Sequence, residues 1–149
     1  MIRKGTYVLF LRFDRPVEAE VGSLGLVSLE AGTYCYVGSA KNGLDQRVSR
    51  HLSHDKKKRW HIDYLTTLCN EMSAYEHEGT EITECGLAGM MIRIGNEPVF
   101  KGFGCSDCDC QTHLFRVDYG RTRKALEGLG MTVFAGKGPS SDINGVKAK

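Results

Sequence analysis

The sequence predicts a small α+β domain. Its centre is a mainly antiparallel β-sheet of about three core strands with extra edge strands, flanked by helices. Three observations predict this. Runs rich in β-branched and aromatic residues occupy positions 5–13 and 33–39, with turn residues between them. Strand–turn–strand order over that stretch favours antiparallel pairing. Beyond it, apolar residues recur at helical spacing in several short segments.

Gly5 to Phe13 reads as a strand whose period of two sets Tyr7, Leu9, Leu11 and Phe13 on one face. Asp14-Arg15-Pro16 ends it. Glu18 to Glu30 reads as a second strand region broken by Gly22 and Gly25. After the Ala31-Gly32 turn, Thr33 to Ser39 forms a third strand. It sets Tyr34, Tyr36 and Gly38 against Cys35, Val37 and Ser39. Leu44 to Leu52 is a helix with Leu44, Val48 and Leu52 inward and Asp45 complementing its dipole. A charged linker, Ser53 to Arg59, leads to a helix over Trp60–Cys69 with Ile62, Leu65, Leu68 and Cys69 inward. Glu71 to His77 is a strand. A third helix covers 81–93, with Ile82, Cys85, Leu87, Ala88, Met91 and Ile92 apolar, and Gly95-Asn96-Glu97-Pro98 stops it. Residues 102–110 form a loop, His113–Val117 a strand, Arg121–Leu129 a helix and Met131–Phe134 a last strand. One domain is expected over 1–135, followed by a tail over 136–149 without apolar periodicity.

With 149 residues, 41% apolar and 26% charged, the chain suits a folded protein with a sizeable core and excludes a disordered one. No apolar run approaches a bilayer span, and the N-terminus lacks an apolar signal region, so a cytoplasmic, membrane-free protein is expected. The six cysteines then read as reduced thiols or metal ligands rather than a disulfide framework. The net charge of +2 conceals segregation: +5 over residues 1–60, −6 over 61–100 and +3 over 101–149. The basic density peaks over 41–59, where Lys41, Arg47, Arg50, Lys56, Lys57, Lys58 and Arg59 suit a polyanion, or simply a solvated basic surface.

Three pieces carry chemistry. Gly5-Thr6-Tyr7 opens the first strand, and Tyr36-Val37-Gly38-Ser39-Ala40 ends the third. Arg47 and His51 follow four apart on one helix, projecting from one side. On these residues the sequence resembles the GIY-YIG nuclease superfamily. Tyr36 to His51 is similar to the corresponding stretch of phage-intron homing endonucleases. The likeness is closer still to the DUF123 branch, through Trp60-His61-Ile62-Asp63-Tyr64-Leu65 and Gly102-Phe103-Gly104-Cys105-Ser106-Asp107-Cys108. It spans roughly residues 5–117. The resemblance implies a GIY-YIG-like fold and metal-dependent hydrolysis of nucleic-acid phosphodiesters. It also points to Glu84, on the later acidic helix, as the family's catalytic carboxylate.

The residues fit those roles. Glu84 heads an apolar stripe with Leu87, Ala88 and Met91, where a bound cation would offset an otherwise costly carboxylate. It would hold Mg²⁺ or Mn²⁺, which binds through few carboxylates. The alternative is a helix-dipole acid, a task that Glu81 suits better. Arg47 is suited to clamp a phosphate with its planar fork, or to pair with Asp45 or Asp55. Tyr7 is the resemblance's general base and needs a nearby cation to work at neutral pH. Tyr36 would orient water or phosphate, though both tyrosines also suit ordinary sheet packing. His51 would relay a proton or bind phosphate. Gly38 permits close backbone approach, and Ser39 and Lys41 flank the phosphate path. Arg50, Lys57, Lys58 and Arg59 would contact nucleic acid, DNA before RNA, together with His61 unless that histidine is structural.

A second constellation is Cys105-x2-Cys108-x-Cys110-x2-His113, which offers four ligands of the right type for structural Zn²⁺. Its spacing is compressed for paired knuckles, so reduced thiols in a tight loop stand as the alternative. Two functions follow: a divalent-metal-dependent endonuclease, structure-specific and linked to DNA repair or processing, or a non-catalytic nucleic-acid-binding or assembly module. No DNA-reading segment is recognisable, so specificity is expected from substrate shape, a homodimer or a protein partner.

Overall fold

A computed structural model describes residues 2–105 and 110–134. The continuous apolar run of the first strand, β1 (Gly5–Phe13), is buried on both faces, and this places it at the sheet centre. It pairs antiparallel with β4 (Gly32–Ala40) on one side and β5 (Glu71–Glu78) on the other. The register sets Tyr7 opposite Gly38 and Glu76. Shorter edge strands extend this core: β6 (Glu97–Pro98), β7 (Leu114–Arg116) and β8 (Thr132–Val133). The six-stranded order is β6-β7-β4-β1-β5-β8, and every pairing is antiparallel. The α+β fold with three long core strands is the one expected.

Each sheet face buries one cluster. Tyr7, Leu9, Leu11, Phe13 and Tyr34 pack with Leu44 and Val48 of α1 (Leu44–His51) and Leu65 of α2 (Asp63–Thr66). Val8, Phe10, Cys35, Val37 and Phe115 pack with Leu87, Ala88 and Met91 of α3 (Glu84–Arg93) and Leu126 of α4 (Tyr119–Gly128). The period of two in β1 and β4 thus decides which helix each residue meets.

Several expectations need correction. Residues 17–29 do not join the main sheet. They form a separate hairpin of β2 (Val17–Glu20) and β3 (Leu26–Leu29) around a 3-10 turn at Gly22–Leu24. Gly22 and Gly25 both adopt positive φ there, which explains the break. The helix expected over Trp60–Cys69 shrinks to α2, and Leu68 is exposed rather than inward. The cause is Asp63, whose buried carboxylate accepts from the backbone N–H groups of Arg59 and Trp60 and holds them in a turn. The third helix starts at Glu84, not residue 81, because Thr83 is its N-cap and accepts from Gly86 N–H at 3.0 Å. Glu81 instead pairs with His77. Cys85 and Ile92 are exposed, not part of the apolar face. Glu97-Pro98 serves as an edge strand as well as a stop. The expected tail lies outside the described residues.

Candidate active site

The sheet pleat and α1 build a cleft of about 410 Å³ lined by Tyr7, Tyr36, Arg47, His51, Arg59, Trp60 and His61, with the Gly102–Cys105 turn at its edge. Two glycines make room for its phenols. A Cβ at Gly38 would clash with Cζ and Oη of the Tyr7 phenol, and one at Gly104 would lie 2.9 Å from a Tyr36 ring carbon. Gly38 therefore admits a side chain rather than a substrate backbone. Gly104 also has φ of 75°, which other residues rarely adopt.

Tyr7 Oη lies 2.8 Å from His51 Nε2, and both residues are almost fully buried. Burial lowers the His51 pKa to about 3, with the Lys56 charge acting the same way, so the ring is neutral. Its Nδ1 has no hydrogen-bond partner among the described residues. Burial also pushes the Tyr7 phenol up to about 12, outweighing the Arg47 guanidinium beside it, and it raises Tyr36 further. At neutral pH both tyrosines are protonated phenols. The Arg47 charge is not sufficient to make Tyr7 a ready base.

Arg47 donates from Nη1 to the Ser39 carbonyl at 3.1 Å and stacks its guanidinium 4.5 Å from the Trp60 ring centre. Asp45, its expected salt-bridge partner, pairs with Arg3 instead. Arg50 behaves differently. It grips Asp63 with two bonds of 2.9 Å and donates to the Lys57 carbonyl, also beneath Trp60. Its guanidinium is thus engaged by protein partners rather than presented as the nucleic-acid contact expected of it. Lys56, absent from the expected site, caps α1 by donating to the Arg50 and His51 carbonyls at 3.0 and 2.7 Å. Lys41, Lys57, Lys58 and Arg59 are exposed, and Lys58 sits over the Tyr64 ring. His61 packs edge-on against Phe103 while lining the cleft.

Glu84 does not line the cleft. It approaches the end of β4 from the α3 face, where Ser39 Oγ donates to its Oε1 at 2.8 Å. Ser39 thus joins the two sides, its carbonyl bound to Arg47 and its hydroxyl to Glu84. His113 Nδ1 stands 2.8 Å from Glu84 Oε2. Burial raises the Glu84 pKa, but the bonds from His113 and Ser39 and the Lys41 charge outweigh it, and the carboxylate ends below its ordinary value. It is ionised at neutral pH. The Glu84 charge acts on both phenols in the same direction as their burial, as a smaller contribution.

Ser106, Asp107 and Cys108 of the second constellation lie outside the described residues. Cys105 Sγ donates to the Phe103 carbonyl and faces the cleft. Cys110 and His113 do come together, with Cys85 of α3 rather than with Cys105. Sequence reading missed Cys85 as a site residue because helical spacing suggested an apolar position. It also missed Trp60, whose signal was a lone tryptophan ending a basic run.

A family model described as domain of unknown function DUF123 matches residues 6–132. The chain belongs to the DUF123 family. The DUF123 span contains every side chain of the cleft and of the Glu84–His113 cluster. Neither a curated protein nor a solved structure matches the chain. No helix among the described residues is long and apolar enough to cross a membrane.

Proposed function

We propose that this DUF123 protein is a divalent-metal-dependent endonuclease that hydrolyses nucleic-acid phosphodiester bonds. The observation that carries the reading is Ser39. It ties the Arg47 guanidinium to the ionised Glu84 carboxylate across one strand end, beside two phenols and an open basic cleft. The motif resemblance over Gly5-Thr6-Tyr7, Tyr36-Val37-Gly38, Arg47, His51 and Glu84 supports the same reading.

The donor set suits Mg²⁺ or Mn²⁺: one ionised, part-exposed carboxylate, as expected for cations that keep most of their waters. When bound at Glu84, such a cation supplies charge neutralisation and an acidified water. The protein's own groups do the rest. Arg47 binds the phosphate oxygens and is held in place by the Ser39 carbonyl and the Trp60 ring. Tyr7 and Tyr36, as neutral phenols, orient water or phosphate by hydrogen bonds. His51 is a positioning residue that holds the Tyr7 hydroxyl and, being neutral, adds no competing charge. Arg59 and the exposed lysines draw the polyanion to the cleft.

One observation favours a non-catalytic nucleic-acid-binding module: each Glu84 oxygen already has a protein partner, Ser39 or His113. A panel of branched, single-stranded and duplex DNA, with RNA equivalents, separates the two. Cleavage in Mg²⁺ or Mn²⁺, abolished by chelator and reduced about 100-fold or more in Glu84→Ala, is the expected result. Equal cleavage by wild type and variant removes the metal mechanism. Binding without cleavage under every condition leaves the binding module.

A further inference from the structure

We propose that Cys85, Cys110 and His113 form a zinc site. One ligand atom from each lies within 4.8 Å of the other two. The residues come from segments far apart in sequence. Cys85 is the second residue of α3, while Cys110 and His113 lead into β7. This set differs from the compact run suggested by sequence spacing, because the helix that carries Glu84 supplies one thiol.

The frame is rigid where it matters. His113 N–H donates to the Phe103 carbonyl at 2.9 Å, and its carbonyl accepts from Val37 N–H at 3.0 Å, so its backbone is pinned on both sides. Its ring is 1% exposed. Cys110 packs against the core cluster under α3, and exposed Cys85 leaves a path for the ion to enter.

The donor chemistry selects the metal. Two thiolates and an imidazole favour Zn²⁺, whereas Mg²⁺ and Ca²⁺ prefer oxygen. Tetrahedral Zn²⁺ holds such ligand atoms about 3.6–3.8 Å apart, so the three would close by at most about 1 Å. The fourth position is left for water. Glu84 strengthens the case independently. Its Oε2 lies 2.8 Å from His113 Nδ1, and with zinc on Nε2 a carboxylate partner of this kind would fix the tautomer and orientation of the imidazole. Zinc here would brace His113 and, through it, Glu84. The site is separate in ligand type from the Mg²⁺ or Mn²⁺ proposed at Glu84, and zinc content is scored apart from cleavage.

The test is elemental analysis of the full chain purified without added metal, followed by Co²⁺ exchange. About one zinc per chain and a thiolate-to-cobalt charge-transfer band are expected. Cys85→Ser and Cys110→Ser should each weaken zinc binding at least tenfold, and Glu84→Gln about 10–100-fold, while Cys105→Ser retains the ion. Circular dichroism checks that each variant folds. Should a variant fail to fold, the wild-type cobalt spectrum still reports thiolate ligation. The site is refuted by a folded wild type that binds no added Zn²⁺ or by zinc retained in both Cys85→Ser and Cys110→Ser. Zinc lost in Cys105→Ser, or a Cys85–Cys110 disulfide in place of the metal, would refute it equally.

Discussion

His51 and His113 are both 1% exposed, yet the two faces of the sheet put them to opposite uses. On the α1 face, His51 meets the Tyr7 hydroxyl, and burial beside Lys56 keeps the ring uncharged. On the α3 face, His113 meets an ionised carboxylate, with two thiols close by. Burial alone therefore does not assign a histidine's role; its partner does. A phenol asks only to be positioned, whereas a carboxylate prepares an imidazole to carry a proton or a metal ion. The same contrast separates Arg47 from Arg50. Both stack on Trp60, but one binds a backbone carbonyl beside the open cleft and the other neutralises a buried aspartate.

That contrast breaks most visibly in the arginines. Arg47→Ala should lower turnover on a cleavable substrate about 10²–10³-fold while the thermal midpoint moves little. Arg50→Ala should cost about 2–4 kcal/mol in denaturant unfolding, because Asp63 is left buried without its cation. If the variants exchange behaviour, the cleft has been assigned to the wrong guanidinium. A smaller effect tests the phenols. Tyr7→Phe removes the only hydrogen-bond partner that the His51 ring has among the described residues, and should cost about 1–3 kcal/mol. The Tyr36 hydroxyl has no described partner, so Tyr36→Phe should cost less than about 1 kcal/mol.

The smallest effect is in pH. Unfolded His51 takes up a proton near its ordinary value of about 6.5, whereas the folded ring resists protonation until about 3. The unfolded state binds the proton first, so stability falls as pH drops through that window. The lowered Glu84 pKa adds a second loss, which begins as pH falls into the ordinary carboxylate range. Thermal midpoints of wild type and His51→Asn between pH 7 and 4 should separate these losses. The variant should lose the upper part of the dependence and keep the lower. An unchanged profile would mean that His51 takes up its proton at the same pH in the folded and unfolded protein.

Much of this molecule can be read from residue order. The alternation in Gly5–Phe13 and Thr33–Ser39 gave both the strands and the faces of Tyr7, Tyr36 and Ser39, because a strand's period of two is local geometry. The spacing of Arg47 and His51 put them on one side of α1 for the same kind of reason. Cys85 and Asp63 were illegible. Each owes its role to residues brought near by the fold: Cys110 and His113 for the first, Arg50 and the Arg59–Trp60 turn for the second.

Residue order alone specified the long antiparallel strands, the inward face of α1 and the identity of the charged and phenolic groups, since short-range sterics and periodicity suffice for these. Tertiary structure alone decided which of those groups are ionised and which meet. Desolvation and partner distance are set by packing between distant segments: a phenol pressed onto Gly38, a carboxylate reaching Ser39 from the far face, and a helix thiol delivered beside His113.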